Sequence, residues 1–92
     1  MGDRCAFPMG YTPRQAADVV MGRVMAVPLA EVQGEIERLD VLRRAIADSK
    51  DNYSYFIVQG LLRLRLPHGE APAWSEARIR EEAEGIAEIF VL

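Results

Sequence analysis

Apolar residues recur every three or four positions through most of the chain, and charged residues fill the positions between them. That periodicity is typical of amphipathic α-helices. It predicts one helix over residues 13–27, a longer one over about 28–50, and a last one that begins at 73 or 75. The longest of these helices has a continuous apolar seam, formed by Leu29, Val32, Ile36, Leu39, Leu42 and Ile46.

The first predicted helix has a well-defined start. Thr12 precedes Pro13, and Gln15 follows three residues after the threonine. A threonine in this position accepts a hydrogen bond from the third helical residue, whose side chain reaches back, while proline suits the first helical position. We therefore expect a helical start at Pro13. Residues 1–11 would form a flexible lead, and residues 12–92 a single helical domain.

The segment 53–66 admits two interpretations. As strands, 53–58 and 61–66 would flank a turn at Gln59 and Gly60. As a helix, it presents one face formed by Tyr53, Phe56, Ile57, Gly60, Leu61 and Leu64. Gln-Gly is a weaker hairpin signal than Asn-Gly, and an isolated hairpin is only marginally stable. We therefore predict a helix on which Gly60 lets a neighbouring helix approach closely. The fold is then an all-α bundle of about four helices, and the alternative is an α+β fold with a hairpin at 53–66.

Composition adds a surface to this picture. With 92 residues and a formal net charge of −3, the chain is expected to form one domain with one small core. Counting glycine and leaving out tyrosine, 50 of the 92 residues are apolar, which is slightly more than soluble domains carry on average. We expect the surplus to form a surface that binds a partner protein or a second copy of the chain.

Few residues are suited to catalysis or metal binding. Cys5 is the single cysteine, which argues against a disulfide framework and a multi-cysteine metal site and fits a cytoplasmic setting. His68, the single histidine, lies in a Pro-His-Gly turn and is expected to be a plain loop residue. The glutamates of the last helix are expected to form a solvated face. We therefore assign no catalytic residue, no cofactor and no metal.

Membrane and nucleic-acid binding are also disfavoured. No apolar run approaches the roughly 18 residues that a membrane span needs. No basic stripe offsets the negative net charge, although phosphate binding usually requires one. Ten arginines stand against one lysine, a bias that indicates a bacterial or phage gene.

Two short stretches resemble known families. TPRQAADVV, residues 12–20, resembles the first helix of helix-turn-helix regulators, which implies DNA binding as an alternative function. LAEVQGEIERLD, residues 29–40, looks like the opening helix of the small all-helical chorismate mutases, which implies a small helical enzyme as a second alternative. Gln33 stands where that family has an arginine, and Leu61 where its lysine is expected. These departures remove charges that the chemistry needs.

The function that the sequence favours is a small non-enzymatic protein–protein interaction module, such as an adaptor, an inhibitor or a structural subunit. It would bury an apolar helix face against a partner, or against itself as a homodimer. Aromatic residues and arginine most often carry interface energy. The predicted partner-binding residues are Phe56, Leu62, Arg63, Arg65, Trp74 and Phe90.

Overall fold

The computed structural model describes residues 10–46 and 51–90, with side chains for 10–46 and 54–89. These ranges contain four α-helices, which are α1 (Pro13–Met25), α2 (Val32–Ala45), α3 (Asp51–Leu64) and α4 (Glu76–Phe90). The predicted all-α bundle is confirmed, and the alternative hairpin is wrong because α3 runs without a break through Gln59 and Gly60. The predicted flexible lead of residues 1–11 lies outside the described residues apart from Gly10 and Tyr11, as does Cys5.

The start of α1 is the one that the sequence predicts. The backbone N–H of Gln15 donates to the Thr12 hydroxyl at 3.1 Å, and the Gln15 side-chain oxygen accepts from the Thr12 N–H at 2.9 Å. These two bonds satisfy donors that every helix leaves free in its first turn. The buried face of α1 is formed by Ala16, Ala17, Val20, Met21 and Val24.

Helix α2 is shorter than the predicted range of 28–50. Pro28 has an extended backbone (ψ 142°), and the next three residues form a 3-10 turn, Leu29–Glu31. At the other end, Ile46 leaves the helical region with φ −121° and ψ 43°. The predicted seam therefore loses its first member, because Leu29 lies on the surface, while Val32, Ile36 and Leu39 are buried.

Helix α3 lies antiparallel against α2. Ile36 contacts Gln59, and Arg43, further along α2, contacts Phe56, which comes earlier on α3. The buried face of α3 is formed by Ile57, Val58, Gln59, Leu61 and Leu62. Of the predicted apolar face, Ile57 and Leu61 are buried, whereas Phe56 and Gly60 are exposed. Apolar residues occupy several sides of this helix, so its periodicity alone does not determine which side faces the core.

Polar contacts join the remaining elements to one another and to the antiparallel pair α2–α3. Arg65, just beyond α3, donates to the carbonyl oxygens of Val24 and Val27 at 2.7 and 2.6 Å. The two carbonyls belong to the last turn of α1 and the loop after it, where free acceptors need donors. Helix α4 packs along α1, and an ion pair between Asp18 and Arg80 spans the two.

Helix α4 is capped at its start. The Ser75 hydroxyl accepts from the N–H of Arg78 at 3.2 Å and caps the helix that begins at Glu76. In the described parts of the chain, no helix combines the length and apolar character needed to span a membrane.

Candidate interaction surface on α2 and α3

An exposed patch lies on the outer side of the α2–α3 pair. Phe56, Gly60 and Arg63 share one face of α3, because they are spaced four and three residues apart. On α2, Arg43 contacts Phe56, and Val41 lines a groove together with Arg63. Phe56 is 60% exposed and Val41 67% exposed, as Leu29 and Ile89 also are elsewhere on the surface, at 62% and 69%. We call Val41, Arg43, Phe56, Gly60 and Arg63 the α2–α3 surface.

The ring of Phe56 is held in place from one side. The guanidinium carbon of Arg43 lies 4.9 Å from the ring centroid, within the range of a cation–π contact. Arg43 in turn donates to Asp40 at 2.9 Å, and Arg44 contacts the other carboxylate oxygen at 3.0 Å. The hydrogen bond from Arg43, assisted by the charge of Arg44, holds the pKa of Asp40 below its ordinary value. Phe56 is thus presented to solvent on a fixed polar support.

A groove of about 540 Å³ runs beside this support, between α2 and the end of α3. It is lined by Gln33, Ile36, Glu37, Asp40, Val41, Gln59, Arg63, Leu66, Pro67 and His68. Gln59 is only 3% exposed, and its amide donates to the Ile36 carbonyl at 2.9 Å. The groove therefore has a buried floor, one exposed apolar rim residue in Val41, and opposite charges in Glu37 and Arg63.

His68 reaches this groove from a tight turn. Its backbone exchanges two 3.0 Å hydrogen bonds with Ala71, and Gly69 takes the φ of 60° that the turn requires. Glu37 and Asp40 line the same groove, but the hydrogen bonds of the described side chains join them to Gln33 and to Arg43. Neither carboxylate is hydrogen-bonded to His68 in that part of the chain.

Among the side chains described, those of residues 10–46 and 54–89, no three of His, Cys, Asp or Glu come together in a group that could hold a metal ion. The glutamates on α4 are spread along a helix face, as the sequence pattern indicates.

Two of the predicted partner-binding residues meet on the α2–α3 surface. Phe56 and Arg63 are both exposed and lie on one face of α3. Leu62 is different, since it is 0% exposed and belongs to the core, so it offers a partner no surface in this fold.

The other predicted residues have structural surroundings. Arg65 is half-buried and engaged with α1. The Trp74 ring packs against the core on one side and lies under the Arg78 guanidinium, 3.9 Å away, on the other. Its backbone N–H donates to the Leu64 carbonyl at 2.9 Å, so Trp74 ties the loop to α3. The side chain of Phe90 lies outside the described residues.

Val41 and Arg43 belong to the α2–α3 surface but were not predicted as partner-binding residues. The sequence nevertheless contains an indication for each. Val41 is an apolar residue at a position of α2 that the seam leaves to solvent, which breaks the amphipathic pattern. Arg43 stands three residues after Asp40, a spacing at which opposite charges pair on a helix. Its contact with Phe56 depends on the register of α2 against α3, and that register is a tertiary property.

A second depression, of about 670 Å³, lies at the turn between α1 and α2. Its charged residues include Glu35 and Arg38, which bond each other through two contacts of 2.6 and 2.7 Å. That mutual pairing, chiefly the hydrogen bond from Arg38, lowers the pKa of Glu35.

Comparisons of this chain with protein-family models, with curated proteins and with solved structures find no significant match.

Proposed function

We propose that the chain is a small non-enzymatic protein–protein interaction module that buries the α2–α3 surface against another polypeptide. The observation that carries this proposal is the exposure of Phe56 and Val41 on adjoining helices, with Val41 lining a groove between them. Large exposed apolar side chains next to a depression are a common form of docking site, whereas single exposed apolar residues are ordinary.

The surroundings of Phe56 support this role. Aromatic residues and arginine carry much of the energy at protein interfaces, and here Arg43 and Arg63 accompany the ring. Arg43 is fixed by Asp40, so the partner would meet a rigid support and little side-chain freedom would be lost on binding.

The charges that line the groove favour a partner that carries both positive and negative groups. The surface has an exposed cation in Arg63 and an exposed anion in Glu37 on opposite sides of the groove. A partner that presents an apolar side chain flanked by both signs of charge would complement it. We place this role in the cytoplasm of a bacterium or in a phage-infected cell, following the single cysteine and the excess of arginine.

Photo-crosslinking from inside the surface tests the proposal. A benzoylphenylalanine is introduced at position 56 and, as a matched control, at position 14, which is an exposed residue of α1. After irradiation in the native host, we expect discrete protein adducts from position 56 and few from position 14. Mass spectrometry then identifies the captured peptide. Equal labelling from both positions, or none from position 56, would refute the proposed function.

A further inference from the structure

We infer that the polypeptide buried against the α2–α3 surface is a second copy of this chain, with α3 packed antiparallel on α3 around a two-fold axis at Gly60. This inference rests on the proposed function and names its partner. It is drawn from the order of residues on the exposed face of α3.

Gly60 lies in the middle of α3, and a Cβ built on it would meet no atom of the described residues within 4 Å. A glycine inside a helix destabilises it relative to alanine. The close approach that a bare backbone permits is not used by any described element of the same chain. A helix from outside the chain can use it.

The openness of Gly60 is not sufficient by itself, because Gly22, Gly34 and Gly85 are equally open. What distinguishes Gly60 is its two neighbours on the exposed face. Phe56 precedes it by four residues and Arg63 follows it by three. The face thus carries an aromatic ring on one side of the glycine and a cation on the other.

A two-fold axis at Gly60 makes this face complementary to itself. With a rise of about 1.5 Å per residue, Phe56 lies about 6 Å before the axis and Arg63 about 4.5 Å after it. In an antiparallel pair, each Phe56 therefore lies within about 1.5 Å, along the helix axis, of Arg63 in the other copy. An isologous interface forms this contact twice. Arg43 of the same copy covers part of the Phe56 ring. Because Phe56 is still 60% exposed, there is room on the ring for Arg63 of the other copy.

The size of the surface requires α2 to take part. A specific interface buries about 800 Å² on each partner, about one eighth of the 6295 Å² that this chain exposes. A helix of 14 residues is only about 21 Å long and about 10 Å wide. On α2, Val41 is exposed and lines the groove together with Arg63, so α2 offers further surface next to the face of α3. We therefore expect a weak dimer with a dissociation constant of the order of micromolar.

Sedimentation velocity with paired glycine variants tests the inference on the full chain. Loading concentrations extend from about 1 to about 500 µM, which brackets the expected affinity. Gly60→Ala should weaken dimerisation roughly five- to a hundredfold, because a methyl group at the crossing forces the helices apart. Gly85→Ala, on α4, should leave the dimerisation constant unchanged. At low concentration both variants should melt a few degrees higher than the wild type, since alanine favours the helix.

The decisive result is that Gly60→Ala should change stability and dimerisation in opposite directions. A misfolded variant would lose both stability and association, whereas the expected variant gains stability and loses association. A double-mutant cycle with Phe56→Ala and Arg63→Ala gives a second measurement. If the two residues meet across the axis, the double variant should dimerise about as weakly as whichever single variant has the larger dissociation constant.

The outcomes separate this inference from the proposed function. A concentration-dependent dimer that weakens in Gly60→Ala and not in Gly85→Ala supports the inference. A wild type that stays monomeric to about 500 µM overturns it, and so does a dimer indifferent to Gly60→Ala. If position 56 nevertheless captures a different protein in the crosslinking experiment, the interaction module stands and only its self-association fails. If it captures nothing, both fail.

Discussion

The side-chain amide of Gln59 donates a 2.9 Å hydrogen bond to the backbone carbonyl of Ile36, within the interface between α3 and α2. Gln59 is a buried polar side chain in an otherwise apolar interface. Buried polar groups are tolerated when they are hydrogen-bonded, and such a bond is possible only at a limited set of helix positions. It therefore fixes the register that places Arg43 beside Phe56.

Gln59→Ala should destabilise the chain by about 2 kcal/mol, since it removes both the hydrogen bond and buried side-chain volume. Urea denaturation followed by circular dichroism measures the change. Gln33→Ala is the matched control, because Gln33 lines the same groove but is exposed, and it should change stability by less than about 0.5 kcal/mol. Equal effects of the two substitutions would contradict the structural role of Gln59.

Arg65 should behave as a structural residue despite its charge. Its guanidinium serves the carbonyls of Val24 and Val27, and Arg65→Leu would leave both without that donor. We expect a loss of about 1–3 kcal/mol in the free energy of unfolding. Arg14→Leu, on the exposed side of α1, should lose less than about 0.5 kcal/mol. If Arg65→Leu were as mild as the control, the link between α1 and α3 would have little energetic weight.

Leu62 and Phe56 should separate stability from binding. Leu62→Ala removes a fully buried side chain and should cost about 2–5 kcal/mol. Phe56→Ala removes an exposed ring and should cost less than about 1 kcal/mol in the monomer. Denaturation at low concentration measures both, and crosslinking or sedimentation then reports binding. A large stability loss in Phe56→Ala would mean that this ring serves the fold.

Acid should weaken the support beneath Phe56. Because Arg43 lowers the pKa of Asp40 in the folded state, the Asp40 carboxylate contributes stability above its unfolded-state pKa of about 4. That contribution is lost as the pH falls through the lower folded-state value. The difference in melting temperature between wild type and Asp40→Asn should therefore be largest near neutral pH and should shrink below about pH 4. High salt should reduce it at every pH, and a difference that grows in acid would reverse the assigned sign.

The sequence was informative wherever a structural feature is local. The Thr12–Gln15 capping box concerns four neighbouring residues and is confirmed in detail. The helical character of 53–66 could also be predicted, because a Gln-Gly pair turns a hairpin poorly and no other strand was available.

The errors concern features that depend on packing. Leu29 fits the helical periodicity, but the extended Pro28 shifts the start of α2 to Val32. The face of α3 that turns inward could not be predicted either, because Phe56 and Ile57 are equally apolar and only contact with α2 and α1 selects between them. The same ambiguity explains why Leu62, predicted to bind a partner, lies in the core, and why Gly60 lies on the exposed side of α3.

The pairing of the first helix with the last has a consequence during synthesis. Asp18 and Arg80 are 62 residues apart in the chain and meet in the fold. At about 5–20 residues per second, a ribosome takes roughly 3–12 seconds to make the intervening segment. During that time α3 emerges and can cover part of the apolar side of α1, but the part that faces α4 stays open to water until α4 has been made.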